Sequence, residues 1–600
     1  MRCLAIVLVL ATLLVGLANA SQIDEVGKSS QHLLSIDRNS VRTLFADVID
    51  FENPKFGHDV RFTQTQIIKG VSAAAKNWLK KEVGEAQAER MEQSILRGDD
   101  PYAYFRFLPT SVGAVVPFMN TSINIPGSCF TSISVEIVAA DPAYHWVATQ
   151  FLARGPQKDW LCSDILILST LERLEILNIQ KAEQPVVFNW TRSNPYDTDY
   201  AWDLKANGIR IHTLSEGLVQ TIADVIATAA LFESMDKPNI TDATAKLNID
   251  FLKYYARVDV GVRPDPSPVD DFAKYAQPGD FVGVMRLDGL DPMLAWAMGS
   301  TTGHTCVVLR DPDTGKMYVA ESTTHSAFWP QNGIQITDIE TWTKQAQAAG
   351  SSAIWVPLTD EARRNFDERK AWEYFKSIEG FDYGYNNFLY GWLDTATDNF
   401  PCLPPDFKRC LSRGNLELIF SVIEHIAEPF ANKMFLQAFQ KRAGLRNMPN
   451  LASILRAVAQ RAPAGTDVFT TLFTAVEQDT WTYNTTRNGV VAEGPSRVCC
   501  AFVCSIWKAS GVFNPFVYNT TRDINCAEQT NWDVYSLNIV QKSNPKLTPA
   551  CEKANPGNPH CQFTGKYTLT LNDVGTRTPY QNMGEHCPTK GPFYPRVPGC

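Results

Sequence analysis

Near the C-terminal end of the chain, apolar residues recur at the spacing of a helix. Phe502, Val503, Ile506 and Trp507 share a face with Cys499, which opens this segment directly after a loop. The first turn of a helix has unpaired N–H groups and the positive end of the macrodipole, which stabilise a thiolate and bind an oxyanion. The pattern therefore makes Cys499 a candidate nucleophile. A structural disulfide is the alternative.

Strand patterns dominate the middle of the chain. A turn with a strand, a short helix and two further strands are predicted in that order, at residues 278–284, 294–300, 302–309 and 317–321. A Gly-Asp pair precedes the first strand, His304 opens the second strand after a glycine, and Glu321 ends the third after an alanine. Candidate polar groups thus stand at the ends of neighbouring strands.

This order resembles the first half of the circularly permuted NlpC/P60 (papain-like) cysteine amidases, the YiiX-like group. In that family the cysteine comes last, at the start of a helix with an apolar residue, a valine, an aromatic residue and a glycine at set positions. Cys499, Phe502, Val503, Trp507 and Gly511 match that pattern without a gap. The resemblance implies an α+β fold with a permuted papain-like domain that cleaves amide bonds and uses no cofactor.

The resemblance also implies roles for individual residues. Cys499 would be the nucleophile, His304 its base and Glu321 the group that orients the imidazole, with His325 as another polar partner for that role. Tyr383, in a Gly-x-x-Tyr stretch, and Trp296, in the short helix, would line the substrate pocket. The plainer interpretations are a strand-end histidine with satisfied hydrogen bonds, a solvated carboxylate and two core aromatic residues.

The domain organisation follows from composition and from the two matched segments. A proline-rich stretch at residues 261–268 disfavours regular structure and is the clearest boundary. About 195 positions separate His304 from Cys499, which requires a large insertion between them. The chain is predicted to begin with a signal peptide (1–20) and a mixed β-rich N-terminal domain (21–262). The permuted domain follows in two halves (263–400 and 486–545), which are separated by a helical insertion (401–485). A Cys/Pro-rich, disulfide-stapled tail (546–600) ends the chain.

Local patterns refine two of these parts. In the N-terminal domain, helices are predicted at 63–96, 218–234 and 241–255, and β-type runs at 104–108, 113–118, 130–139, 145–152, 165–168 and 186–189, as in a small sheet or sandwich. The insertion is helical in pattern over 416–459, with a break at 444–449. It is interpreted as a surface excursion that fills out the core, with a lid over the site as the alternative.

Residues 1–20 predict export. An apolar run ends in small residues of the cleavage type, so the mature chain is expected to be secreted or to reside in a secretory or lysosome-like lumen. Five sequons agree with that route: Asn120, Asn189, Asn239, Asn484 and Asn519. No later window is long and apolar enough to predict a transmembrane helix.

The predicted secretory location also has a consequence for the cysteines. Of 14 cysteines, Cys3 leaves with the signal peptide, and the other 13 enter an environment in which thiols pair. Cys129 and Cys162 are expected to bridge. Six disulfides and one free catalytic thiol are the simplest arrangement, with Cys500 and Cys504 in separate disulfides. Cys306 complicates this count, because a cysteine inside a strand can also be a buried free thiol.

Charge and motifs exclude several other classes of protein. The formal net charge of −9 does not indicate the excess of basic residues that is typical of a nucleic-acid-binding protein. The pairs His560-Cys561 and His586-Cys587 fit no standard zinc spacing, so no metal is predicted. The sequence therefore predicts a thiol hydrolase acting on a cell-wall peptide or an N-acyl substrate. A lipid thioesterase, phospholipase or acyltransferase on the same fold and a non-catalytic binding glycoprotein are the alternatives.

Overall fold

The computed structural model describes residues 33–36, 53–55, 60–158, 162–214, 218–388, 402–407, 409–473, 475–516, 524–527 and 529–579. Over these residues the chain is a mixed α+β protein with all strand pairs in its sheets antiparallel. The predicted signal peptide lies outside the described residues. No helix within the described ranges combines the length and the apolar character that a bilayer span needs.

The N-terminal region contains two sheets that pack face to face. Their strands are β1 (Leu33–Ile36), β2 (Thr110–Val115), β3 (Ser122–Pro126), β4 (Ser132–Ala140), β5 (Trp146–Arg154), β6 (Asp164–Ser169), β7 (Leu174–Ile179), β8 (Val186–Thr191) and β9 (Ile209–Thr213). One sheet has the order β1-β7-β6-β9-β2 and the other β3-β4-β5-β8. Apolar side chains of both sheets form one cluster between them, so this part is a sandwich.

A six-stranded sheet forms the centre of the molecule, in the order β13-β12-β11-β10-β14-β19. The remaining strands are β10 (Phe281–Met285), β11 (His304–Arg310), β12 (Met317–Thr323), β13 (Gly333–Asp338), β14 (Ser352–Val356), β15 (Cys402–Leu403), β16 (Arg409–Cys410), β17 (Thr482–Arg487), β18 (Val490–Pro495) and β19 (Cys561–Thr564). The last of these pairs with β14, so the tail of the chain completes the central sheet.

Helices connect and cover these sheets. They are α1 (Val60–Val83), α2 (Glu85–Arg97), α3 (Thr198–Ala206), α4 (Leu218–Leu231), α5 (Asp242–Phe251), α6 (Asp271–Tyr275), α7 (Leu290–Met298), α8 (Ile339–Ala348), α9 (Asp360–Asn365), α10 (Glu368–Ile378), α11 (Arg413–Ile426), α12 (Glu428–Ala431), α13 (Gln437–Arg442), α14 (Leu451–Ala459), α15 (Val468–Phe473), α16 (Cys499–Ser510), α17 (Asn531–Ser536) and α18 (Pro549–Ala554). A π-helical turn, Leu252–Ala256, continues α5, and another, Asn432–Leu436, joins α12 to α13. Two short 3₁₀ turns are Tyr385–Asn387 and Asn514–Phe516.

The two faces of the central sheet belong to different hydrophobic clusters. One face, with Val307 and Ala320, packs against α16 and shares a large core with the N-terminal helices and the insertion. The other face, with Val308 and Val319, is covered by Trp342 of α8. Both faces are therefore buried, as the nearly continuous apolar character of β10 and β11 requires.

Most of the local predictions agree with the observed elements, and one strand is wrong. Residues 104–108 form turns, not a strand. The N–H of Phe105 donates to Thr228 Oγ1 on α4 (2.9 Å), and its ring stacks on Trp296. Helix packing thus overrides the β-type composition of this segment.

The insertion packs into the body of the molecule. Its helices bury a cluster of phenylalanine rings at positions 420, 435, 439, 469 and 473. Ser421 donates to the backbone carbonyl of Leu171 (3.1 Å), and Glu417 forms an ion pair with Arg210 (3.3 Å). These contacts attach the insertion to the N-terminal sandwich, and the predicted break falls between α13 and α14.

The disulfides correct the predicted cysteine count. Four bridges are present among the described residues: Cys129–Cys162, Cys402–Cys410, Cys504–Cys526 and Cys551–Cys561. The first confirms the expected pairing, but Cys306, Cys499 and Cys500 are free thiols. The predicted arrangement of six disulfides and one free thiol is therefore wrong, and so is the prediction that Cys500 forms a disulfide. Because Cys500 is buried on a helix and donates to the backbone carbonyl of Gln529 (2.7 Å), its thiol is satisfied without a bridge. Cys587 and Cys600 lie outside the described residues.

Four of the five sequon asparagines, Asn120, Asn189, Asn239 and Asn484, are exposed. Asn519 lies outside the described residues. Exposure is the condition that a glycan requires, so these four positions are sterically open to modification.

A buried carboxylate supports the start of the central sheet, and its removal should destabilise the fold. Asp280 is fully buried and accepts hydrogen bonds from Trp355 Nε1 (2.8 Å), from the N–H of Leu358 (3.1 Å) and from Arg363. Asp280→Ala leaves these donors without an acceptor, and we expect a loss of about 3–5 kcal/mol in the free energy of unfolding. Urea unfolding followed by circular dichroism measures it. Asp313→Ala is the control, since that side chain is 77% exposed, and an equal loss in both variants would contradict the prediction.

Candidate functional site

The cysteine-bearing segment is a helix, as predicted. Helix α16 begins at Cys499, and no side chain caps its first turn, so the first amides remain available for a ligand. At its other end, Gly511 adopts a left-handed conformation (φ 89°) that terminates the helix. Trp507 Nε1 donates to the carbonyl of Gly279 (2.9 Å), which ties the helix to the loop before β10.

The Gly-x-x-Tyr stretch lies against the start of this helix. The N–H of Gly384 donates to the carbonyl of Arg497 (3.0 Å), and Tyr383 pairs with Arg497 as an isolated bridge. A Cβ atom at position 384 would lie 2.2 Å from the carbonyl carbon of Arg497, so only glycine permits this approach. On the other side, Ser322 Oγ donates to the same carbonyl of Arg497 (2.7 Å). The backbone that precedes Cys499 is thus held from two directions.

His304 and Glu321 are in direct contact. His304 Nε2 lies 2.7 Å from Glu321 Oε2, and Trp342 Nε1 donates to Glu321 Oε1 (2.8 Å). Glu321 is 1% exposed, whereas the His304 side chain is 17% exposed. The carboxylate is therefore fixed by two partners, and it in turn fixes the imidazole ring.

Cys306 completes a cluster on the same face of the sheet. It follows His304 by two positions in β11, and its sulfur lies 3.6 Å from Glu321 Oε2. One ligand atom from each of His304, Cys306 and Glu321 lies within 4.8 Å of the other two. Helix α16 packs on the opposite face of the sheet, and His304 is the first residue of β11.

Cys499 makes its own contacts on that opposite face. It is 5% exposed, and its thiol donates to Asn531 Oδ1 (3.4 Å). Asn531 Nδ2 donates to the carbonyl of Thr302 (3.1 Å), in the loop that leads to His304. Asn531 therefore links the nucleophile helix with the segment that carries the histidine.

The sulfur and the imidazole act on each other's protonation. The neighbouring Cys500 thiol and the nearby His304 together lower the pKa of Cys499 well below its usual range, against the cost of burial. Burial disfavours a charged imidazole, but Cys306, Cys499 and Glu321 outweigh it and raise the pKa of His304 well above its usual range. Both shifts favour a thiolate–imidazolium pair.

The other two free thiols behave in the opposite way. Burial, with the Glu321 carboxylate second, raises the pKa of Cys306. Burial and the neighbouring Cys499 raise the pKa of Cys500 well above its usual range. Cys499 is therefore the most acidic of the three thiols.

Two adjoining cavities open beside His304. Their volumes are about 100 and 80 Å³, and both are bordered by His304, Leu290, Asp291, Thr323 and Thr324. Burial, together with the nearby Asp288, raises the pKa of Asp291 to about 8. Near neutral pH this carboxyl group is mostly protonated and can donate a hydrogen bond into either cavity.

The predicted pocket residues have different positions. Tyr383 borders the smaller cavity. Trp296 borders neither of the two; it is 4% exposed and packs in an aromatic cluster with Phe105, Phe251 and Tyr255. The structure thus brings Tyr383 to His304 and places Trp296 in the core, because α7 turns that ring toward the N-terminal helices.

Sequence analysis missed Asn531, Asp291 and Trp342 as neighbours of the site. Trp342 and Asn531 lie on helices without a distinctive motif, and Asp291 lies in the first turn of α7 as an ordinary helix-start acid. Only the close packing of Gly303 against Asp291, where a Cβ would lie 2.2 Å from the Asp291 Cβ, places that carboxyl beside His304.

Comparison with protein-family models, with curated proteins and with solved structures found no match for this chain.

The protonation of Cys499 can be measured through its reactivity. We expect iodoacetamide to modify Cys499 before Cys306 and Cys500, with a pH midpoint below the ordinary thiol pKa of about 8.5. In His304→Ala the midpoint should rise by about one pH unit or more, since the cation that stabilises the thiolate is gone. Peptide mapping after timed labelling at several pH values measures both effects.

His145→Ala is the matched control, because that imidazole is exposed and lies outside the site. A midpoint that is the same in His304→Ala and in the wild type would show that His304 does not act on the Cys499 sulfur.

Proposed function

We propose that this protein is a thiol hydrolase that cleaves an amide bond, with Cys499 as nucleophile, His304 as base and Glu321 as the group that orients the imidazole. The observation that carries the proposal is geometric: Cys499 stands at an uncapped helix start and is linked through Asn531 to the loop of His304, whose ring is held by a buried carboxylate. The lowered pKa of Cys499 agrees with this arrangement. Papain-like sites divide these roles among a cysteine, a histidine and a third polar group that fixes the imidazole.

The hydrogen bonds assign each nitrogen of the imidazole a task. Nε2 is bonded to Glu321, so Nδ1 is the nitrogen that can take the proton of Cys499. The thiolate then attacks the carbonyl carbon of the substrate, and the first amides of α16 stabilise the oxyanion. The imidazolium returns its proton to the leaving amine, and water hydrolyses the resulting thioester.

Asn531 positions the sulfur of Cys499 for this path. Its amide oxygen accepts the S–H of Cys499 when the thiol is protonated, and its Nδ2 donates to the carbonyl of Thr302 in the loop before His304. Hydrogen bonds of this kind often tighten only when substrate is bound. Asn531 is therefore a positioning residue in the proposed cycle.

The cavities favour a small, polar acyl group. Volumes near 100 Å³ fall well below the roughly 300 Å³ at which drug-sized ligand pockets begin. Arg286, Asp288 and Asp291 border the larger cavity and provide charge and hydrogen bonds. These features support a peptide-like or N-acyl substrate over the long acyl chain of a lipid.

The permuted papain-like fold is part of the proposal. An antiparallel sheet with His304 and Glu321 on neighbouring strands, followed late in the chain by the helix of Cys499, agrees with the order expected for that domain. Four disulfides and four exposed sequons support a secreted or lumenal location.

Substitutions in the three groups should separate their roles. Cys499→Ser and His304→Ala should each lower kcat/KM by about 10³-fold or more, because residues that act as a unit lose nearly everything together. Glu321→Gln should lose less, since an amide still orients the ring but no longer stabilises the imidazolium. His145→Ala should match the wild type, and circular dichroism confirms that each variant is folded.

The substrate class is tested with a panel of muropeptides, N-acyl amino acids and phospholipids, using wild type and Cys499→Ser side by side. We expect turnover of an amide substrate by the wild type alone. Turnover of phospholipid only would replace the amidase by a lipid hydrolase. Binding without turnover, equal in both proteins, would make this a binding module.

A further inference from the structure

The cluster around His304 and Glu321 contains a third free thiol, Cys306. Cys306 is fully buried and free, and its sulfur faces Glu321 Oε2 at 3.6 Å. The hydrolytic steps proposed above use His304 and Glu321 but leave Cys306 without a task. A sulfur, an imidazole nitrogen and a carboxylate oxygen within 4.8 Å of one another form the donor set that zinc prefers.

We propose that His304 Nε2, Cys306 Sγ and Glu321 Oε2 form a zinc-binding site, and that bound zinc blocks the hydrolytic cycle. These residues differ from the His560-Cys561 and His586-Cys587 pairs that the sequence analysis considered. They also differ from Asp271, Cys551 and Cys561, which lie close together but whose two sulfurs form a disulfide.

The distances fit a tetrahedral ion with small adjustments. Zinc bonds of about 2.3 Å to sulfur and about 2.0 Å to oxygen place those two ligands about 3.5 Å apart. The Cys306 sulfur and Glu321 Oε2 are already 3.6 Å apart. The 2.7 Å contact between His304 Nε2 and Glu321 Oε2 has to open to about 3.3 Å, because a hydrogen bond is replaced by two metal bonds.

The surroundings hold one ligand in place and provide an entry path. Trp342 Nε1 bonds Glu321 Oε1 at 2.8 Å, so Oε2 is the oxygen left to the metal. A fixed outer partner of this kind orients a ligating carboxylate. His304 and Glu321 both border the larger cavity, through which an ion can reach them and which leaves the fourth coordination position open.

Binding moves two protons and thereby explains the block. The Cys306 thiol loses its proton to solvent and binds as thiolate. Zinc takes the place of the proton on His304 Nε2, which also leaves to solvent, and the imidazole keeps one proton on Nδ1. In this form the imidazole can neither take up the proton of a Cys499 thiol nor donate its last proton to the leaving amine without becoming an imidazolate. The block therefore rests on the proposed thiol hydrolysis, whereas the metal site itself does not.

Zinc binding is measured directly on the full mature chain with a chromophoric competitor chelator, and one zinc per chain is expected. Since loss of even an outer-shell partner costs about 10- to 100-fold in metal affinity, Cys306→Ser should weaken binding by at least about 100-fold. Cys500→Ser is the matched control, another buried free thiol that lies outside the ligand set, and it should bind as the wild type does.

Cys499→Ser separates this site from the catalytic proposal. It should be inactive and yet bind zinc like the wild type, because the three ligands are intact. Wild-type affinity in Cys306→Ser, or loss of binding in Cys499→Ser or Cys500→Ser instead, would overturn the assignment.

A measurement on the wild type covers the case in which Cys306→Ser does not fold. X-ray absorption at the zinc edge should show one sulfur at about 2.3 Å among nitrogen and oxygen ligands at about 2.0 Å. A shell of nitrogen and oxygen alone would overturn the site. Hydrolysis by the wild type should fall as zinc binds and return with chelator, and unchanged hydrolysis at saturating zinc would overturn the block.

Discussion

A carboxylate buried in the central sheet is the constraint on which the arrangement around His304 depends. Glu321 is 1% exposed, and a charge at such a depth costs several kcal/mol unless it is paired and hydrogen-bonded. Its two oxygens are satisfied by Trp342 and His304, one from a covering helix and one from the neighbouring strand. The need to satisfy this carboxylate therefore fixes the ring of His304 more firmly than the strand end could do alone.

The thiol reaches the same place from the opposite face of the sheet. The loop before Cys499 is held by Gly384 and Ser322, and its thiol is held by Asn531. None of these contacts involves the imidazole, yet together they set where the sulfur stands. The site thus depends on contacts between segments that are far apart in the sequence.

The large core explains why the predicted parts do not stand apart in space. The N-terminal helices, one face of the central sheet, the insertion and helix α16 contribute to a single hydrophobic cluster. Trp296 is an example: its ring was expected in the pocket and instead packs with Phe105, Phe251 and Tyr255. Because α7 packs within this shared core, the core also fixes the position of Asp291 beside His304.

Short-range patterns along the chain were sufficient to predict several of the elements around the site. Helical spacing predicted the helix that begins at Cys499, and strand patterns predicted β10, β11 and β12, because apolar periodicity reflects which face of an element is buried. Which polar groups meet depends instead on how distant segments pack against one another. The free state of Cys500, the approach of Asp291 and Asn531, and the contact of Cys306 with Glu321 arise between segments far apart or on different strands. No local pattern encodes such contacts, since they follow from how whole elements pack to satisfy buried polar groups.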